Sequence, residues 1–414
     1  MQRENIRIVH SFYCSFIMRK KILFIAPASI PVFGAEAIVN VKLLSVLIDA
    51  GYDIDVVSKK NKWINYPESD FSISERLNSI NIIEVDNRID VVTLYQHFMS
   101  FITFGVVYRG SHWAYKALLY IRKHMDVSLY DAVITKNGPS ELVGYWLKKH
   151  TRLKWIATWN DPFPKNCYPH PYGSGPVRQP WYMKKLITIM RDWADYSVIP
   201  SDRLCHYMDK YVHFHQDRIR IVPHVALTDK PHNKRVDGKL RMLVSGNNRS
   251  PRDPRLLLNA FMRVVSTSVL DAELVFVGSV DDDIKSLIIA LKANSYIKIL
   301  PAVSYEESMD MLKDYDLAIL IEAPCDEGIF LPTKIVDFMQ VRIPVFAISP
   351  KVGILNDLYK KGNIGYFADC TDEQAIENEL KKIISDYNIK LYSSNLPKSC
   401  EPCDVVKAYN EMIY

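Results

Sequence analysis

The chain has 414 residues, 48% of them hydrophobic and 24% charged, with a formal net charge of +5. That composition is globular and can fill two cores, and so mild a positive charge permits attraction to a phosphorylated ligand or an anionic surface without arguing for nucleic acid. Seven cysteines, at 14, 167, 205, 325, 370, 400 and 403, give no disulfide framework and fit a reducing cytoplasm. The lone Cys400-Glu401-Pro402-Cys403 lacks both a second pair for zinc and the strand-to-helix turn of a redox motif.

Residues 1–17 carry charges on both sides of a short apolar patch and lack a small-residue cleavage site, so they do not read as a signal peptide. Met18 leads directly into an apolar strand and is the expected natural start, which an intact mass of the natively expressed protein would check. No run of about 18 apolar residues occurs, so no transmembrane helix is expected. Short apolar strands then alternate with longer helical stretches. Strands are expected at 21–27, 52–59, 130–137, 153–160, 196–202 and 219–225, and helices at 34–51 and 141–150. Residues 228–239 (TDKPHNKRVDGK) are polar and charged and read as a linker. A second series of strands follows at 240–246, 272–279, 296–303, 315–323 and 343–349. The alternation implies α/β architecture: two parallel sheets covered by helices, with a cleft between domains where ligands bind. The expected limits are an extension at 1–17, an N-terminal domain at 18–227, the linker at 228–239, a C-terminal domain at 240–395, and a closing helix in 396–414 that packs back on the first domain.

The segment Glu327–Ser349, EGIFLPTKIVDFMQVRIPVFAIS, poses a problem. Pro332 is well placed to open a helix, yet Lys334 puts a cation in the first turn, where the helix dipole favours anions. Asp337 lies three residues later on the same face. One reading is an exposed i,i+3 ion pair. The other is an anion-binding helix terminus at which Lys334 has a bound partner. Arg252, in SGNNRSPRDP (245–254), is a second candidate anion ligand because it follows Gly246 on a turn; Arg249 and Arg255 compete with it.

Four stretches together resemble the retaining glycosyltransferases of the GT-B fold, in particular glycosyltransferase family 4: APASIPVFGAEAIVN; SGNNRSPRDP; VFVGS with YIKILPAVSYEESMDMLKDYDLAIL; and the Glu327–Ser349 segment. The resemblance implies two Rossmann-like domains facing across a cleft. It implies transfer of a sugar from a nucleotide-diphosphate donor, with UDP the expected nucleotide, to a hydroxyl of a glycan or polyprenyl-linked saccharide. Retention, no metal or other cofactor, and a place at the inner face of a bacterial membrane in surface-polysaccharide assembly are also implied. Lys334 and Arg252 then contact the diphosphate, Gly34 and Gly246 let backbone approach it, and Asp337 accepts from the ribose. Glu327 matches the first of two family acidic positions and would contact the sugar, but the loop to the second is two residues longer than in the family pattern. Arg342 also stands where glycine is frequent. A non-catalytic partner subunit and a nucleotide-sugar epimerase on the same fold are the alternatives.

Two features of the N-terminal half have double readings. Asp161 follows a strand end facing the cleft and either orients the acceptor as a catalytic group or caps a turn before Pro162. The run 97–113 (HFMSFITFGVVYRGSHW) either packs in the core, the simpler reading, or touches a membrane interface. Asp281-Asp282-Asp283 resembles a metal-binding triplet but leads into a helix, where acidic residues favour the first turn. No metal site is expected.

Overall fold

The computed structural model describes residues 20–29, 34–60, 76–106, 108–136, 138–177, 179–227, 238–246, 250–387 and 389–414. The N-terminal extension, Met18, Ile30 to Phe33 of the first loop, linker residues 228–237 and the turn residues Asn247, Asn248 and Arg249 lie outside the described residues.

Seven parallel strands form the first sheet: β1 Lys21–Ile25, β2 Asp53–Lys60, β3 Asn81–Asp86, β4 Ala132–Lys136, β5 Lys154–Thr158, β6 Tyr196–Ile199 and β7 Ile219–Ile221. Their order is β3-β2-β1-β4-β5-β6-β7. Every residue of β4 is buried, as a parallel strand covered on both faces requires. The edge strand β3 alternates exposed and buried positions, so it carries no continuous apolar run and was not anticipated from the sequence. Helices α1 Gly34–Asp49, α2 Thr93–Phe104, α3 Ser111–His124, α4 Ser140–His150, α5 Trp181–Trp193 and α6 Asp202–Val212 belong to this half. Helix α1 ends just before Gly51, whose φ of +92° suits a residue without Cβ.

The second sheet has six parallel strands: β8 Lys239–Ser245, β9 Asp271–Val277, β10 Ile297–Leu300, β11 Leu317–Ile321, β12 Val345–Ser349 and β13 Tyr366–Asp369, in the order β10-β9-β8-β11-β12-β13. Its helices are α7 Arg255–Thr267, α8 Asp282–Ala290, α9 Tyr305–Met311, α10 Thr333–Val341, α11 Ile354–Lys360 and α12 Glu373–Tyr387. The strand order reverses beside β1 in one sheet and beside β8 in the other. Such reversals leave a crevice beyond the carboxyl ends of the strands.

Helix α13, Pro402–Ile413, returns to the first domain: Val405, Tyr409, Met412 and Ile413 share an apolar cluster with Ile22 and Phe24 of β1. The chain thus passes between domains twice. The two passages are joined where the Ala226 N–H donates to the Cys400 carbonyl at 2.9 Å. A further contact comes from the segment before α10. Ile329, with no exposed surface, sits in the core of the N-terminal domain, and Phe330 packs edge-on against Tyr172 of that domain.

Candidate active site

A cavity of about 380 Å³ lies between the domains. The N-terminal domain contributes Glu36 from the first turn of α1, Asn160 and Asp161 after β5, and Tyr168 and Tyr172 from the following loop. The C-terminal domain contributes Ser245 and Gly246 after β8, Arg252, Glu322 after β11, and Pro332 to Lys334 at the start of α10. The site is therefore built from carboxyl ends of strands and the amino ends of two helices.

Lys334 Nζ donates to Ser245 Oγ at 2.8 Å. A Cβ on Gly246 would stand 2.7 Å from that nitrogen, and Gly246 has a φ of +116°. Glycine here gives both the left-handed turn after β8 and the room for the lysine. Gly278, after β9, backs the same turn: a Cβ there would meet the Gly246 carbonyl at 2.4 Å. Burial between the domains lowers the Lys334 pKa to about 8, with Arg252 adding repulsion and Asp337 opposing both. A bound anion would remove that strain.

Arg252 stacks over Tyr172 with 5.6 Å from guanidinium to ring centre, and its Nε lies 3.3 Å from Glu322 Oε2. The Tyr172 hydroxyl donates to the same Glu322 oxygen at 2.9 Å, tying a loop of one domain to a strand end of the other. Across the cavity, Asn160 Nδ2 donates to both carboxylate oxygens of Glu36 at 2.9 and 3.0 Å. Burial raises the Glu36 pKa, while Lys136 and Asn160 counter it. Lys136 itself is buried, and desolvation lowers its pKa to about 8 against the pull of Glu36 and Glu141. His224 is held neutral, its pKa lowered to about 3 by burial and then by Lys136 and Lys42. Burial also raises the Asp161 pKa, against the Tyr168 hydroxyl and Lys165.

Of the residues singled out in the sequence, Asp161, Gly246, Arg252 and Lys334 line this one cavity. Gly34 opens α1 with a φ of +80°, and its neighbours Ala35 and Glu36 face the cavity instead. Glu327 lies outside the lining and accepts from Arg203 Nη1 at 2.8 Å; the same arginine is bidentate to Asp357. Asp337 is likewise outside it. Its Oδ1 accepts from Lys42 Nζ at 2.7 Å and from the Tyr305 hydroxyl at 2.8 Å. A ribose contact from Asp337 therefore competes with a buried ion pair. Lys334 and Asp337 share a helix face, but the exposed pair offered as one reading is not there, since Asp337 is buried against the other domain.

Sequence reasoning passed over Glu322, Glu36 and Asn160. The available signal was position: a carboxylate ending the apolar run LAILIE, another in the first turn after a strand-loop-helix, and an amide beside Asp161. In the acidic triplet, Asp281 Oδ2 accepts from the Ser250 N–H at 3.0 Å, Asp282 pairs with Lys285 and Asp283 with Arg255. Among the described residues, no three His, Cys, Asp or Glu side chains could hold a metal ion. The described Cys400 and Cys403 are free thiols.

Residues 227–396 match the family described as glycosyl transferases group 1. The whole fold is similar to that of HepE from Anabaena, solved with UDP and glucose: TM-score 0.66 at 13% identity, covering 95% of this chain and 99% of that one. It is also similar to the lipopolysaccharide outer core galactosyltransferase WaaB, with TM-score 0.59, 13% identity and coverage of 95% and 99%. The pneumococcal O-GlcNAc transferase GtfA, in complex with UDP and GlcNAc, gives TM-score 0.64 at 8% identity, with coverage of 96% and 99%. No curated protein matches the sequence. The architecture is the GT-B fold. Its C-terminal half matches the group 1 glycosyl transferase family, and the chain is a glycosyltransferase.

Proposed function

We propose that this enzyme moves a sugar from a UDP-sugar to a hydroxyl of a glycan or polyprenyl-linked saccharide, with retention of configuration and without a metal, in the manner of glycosyltransferase family 4. The observation that carries the reading is the pair Lys334 and Arg252, two cations converging on one interdomain cavity where the Gly246 turn and the α10 terminus also point. Departure of the diphosphate builds negative charge, and in the absence of a metal such cations and backbone N–H groups are what neutralise it. In this reading Glu322 and Glu36, which line the cavity, accept hydrogen bonds from sugar hydroxyls, and Asp161 orients the acceptor. In the step itself the acceptor oxygen bonds to the anomeric carbon on the face from which the phosphate oxygen leaves. The acceptor proton passes to the departing diphosphate, so no separate strong base is needed.

The setting in this reading is the inner face of a bacterial membrane, during assembly of a surface polysaccharide. No helix among the described residues is long and apolar enough to cross a membrane. Calorimetry with UDP, GDP, ADP and CMP, with and without EDTA, tests the donor assignment. Selective UDP binding that survives EDTA is expected. Binding restored only by a divalent ion would overturn the metal-free mechanism, and a preference for another nucleotide would move the donor to its sugars.

A further inference from the structure

Helix α2 is built inside out. Its sequence, TLYQHFMSFITF, holds no charged residue. Thr93, Ser100 and Phe104 are its buried positions, and the Ser100 hydroxyl is buried without a hydrogen-bond partner. Leu94, Tyr95, Phe98, Phe101 and Ile102 fall on the opposite face at helical spacing and are exposed, Leu94 at 80% and Phe98 and Ile102 at 60% each. The loop leading in continues the patch with Ile89 and Val91, the latter 96% exposed. An ordinary surface helix buries such a stripe. A contiguous apolar patch of this kind marks a surface that meets something apolar.

The charges around it select the partner. Between Asp90 and Asp126 the sequence has no Asp or Glu, but it has Arg109, Lys116, Arg122 and Lys123. Cations stand at both ends of the helix. Lys185 Nζ donates to the Gly105 carbonyl at 2.9 Å, at the carboxyl end of α2. Lys116 Nζ reaches the Arg88 carbonyl at 3.4 Å, in the loop before it. Asp90, exposed in the loop before the helix, accepts from the Val92 N–H at 3.0 Å and from the Thr93 hydroxyl at 3.3 Å, so its carboxylate is engaged at the start of α2. One turn before Lys185, the exposed Trp181 and Tyr182 open α5.

We infer that α2 and its approach form a docking surface for an anionic lipid bilayer. The apolar stripe enters the boundary between headgroups and chains, and Lys116, Arg88 and Lys185 meet the lipid phosphates. Leu, Ile and Phe in a stripe, with Trp, Tyr and Lys at its borders, are the side chains that settle at such an interface, whereas an acidic protein partner would ask for more charge on the helix itself. The inference deepens the proposed function, resting on it for the lipid-linked acceptor, but it concerns binding alone.

The test is sedimentation of the full chain with vesicles. Phosphatidylcholine vesicles are compared with an equimolar mixture of phosphatidylcholine and phosphatidylglycerol, and the variant Phe98→Glu/Ile102→Glu is run beside the wild type. Both positions face outward, so the variant is expected to keep the wild-type circular dichroism spectrum and UDP affinity. The expected result is binding to the anionic vesicles that weakens with salt and drops by about tenfold or more in the variant. Wild-type protein that ignores the anionic vesicles overturns the inference, as does a variant that binds them equally. A wild-type dimer that the variant splits, with no vesicle binding, overturns it in favour of a second copy of the chain. UDP binding in the same samples reports separately on the proposed function.

Discussion

Lys42 of α1 and Asp337 of α10 form an ion pair between the two domains, 2.7 Å from nitrogen to oxygen, with side chains only 2% and 7% exposed. The pair ties the longest helix described in the first domain to the helix that presents Lys334. Removing one partner leaves a buried charge alone, which is costlier than replacing both. Lys42→Met is expected to lower the unfolding free energy by roughly 3–5 kcal/mol, and Lys42→Met with Asp337→Leu to recover most of it. Urea unfolding of both variants decides; a single-variant loss below about 1 kcal/mol would show that the pair is loosely held.

Lys334 should make donor binding pH-dependent. The folded chain holds this lysine near pKa 8, below its ordinary value of 10.5, through burial. An anion needs the protonated form, so UDP affinity is expected to fall as pH rises through about 8, and Lys334→Arg should flatten that fall. Stability runs the other way. Between pH 8 and 10.5 the unfolded chain keeps a proton that the folded chain has shed, so this group's contribution improves with pH across that window. Lys334→Met is accordingly expected to stabilise the ligand-free enzyme by about 1–3 kcal/mol while weakening UDP binding by roughly 1.5–3 kcal/mol. Calorimetric titration and thermal melts across pH check both signs; a UDP affinity that is flat up to pH 10 would remove Lys334 from the diphosphate.

Two glutamates compete for the sugar. Glu322→Gln is expected to reduce kcat/KM for transfer by about tenfold to a hundredfold, the scale of a lost charged hydrogen bond. Glu327→Gln should change kcat/KM by less than about threefold, since Glu327 engages Arg203 away from the cavity. Steady-state kinetics of the pair would reverse this assignment if Glu327→Gln proved the more damaging.

Gly246→Ala places a methyl group 2.7 Å from Lys334 Nζ and asks alanine to take a φ of +116°. The expected cost is about 1–3 kcal/mol of stability, with weakened UDP binding because the lysine is displaced. A variant with wild-type melting temperature and UDP affinity would show that the turn after β8 relaxes freely.

Much of this was legible in the sequence. Buried parallel strands such as KILFI and LAILI are continuous apolar runs, so most of both sheets could be placed before the structure. Lys334 stood out because a cation at a helix start contradicts the dipole, and Arg252 because it follows a glycine turn. The acidic residues were harder. Glu327 fits a spacing, but the arginine that engages it lies 124 residues away in the other domain, beyond any local pattern. Asp337 meets Lys42 across 295 residues for the same reason. Within the run 97–113, Phe104 and Trp113 are in the core, while Phe98, Phe101 and Ile102 face outward. Helical spacing finds an apolar stripe but cannot tell which side of the helix the rest of the chain will cover.

The two passages of chain between the domains, joined at Ala226 and Cys400, have a mechanical consequence. Two passages bonded to each other constrain the sliding of one domain over the other more than a single linker would. Ile329 is seated in the core of the first domain, so any parting of the domains is expected to draw a fully buried side chain out of it. A pair of distance probes across the mouth of the cleft, read with and without UDP, would show whether the domains part at all.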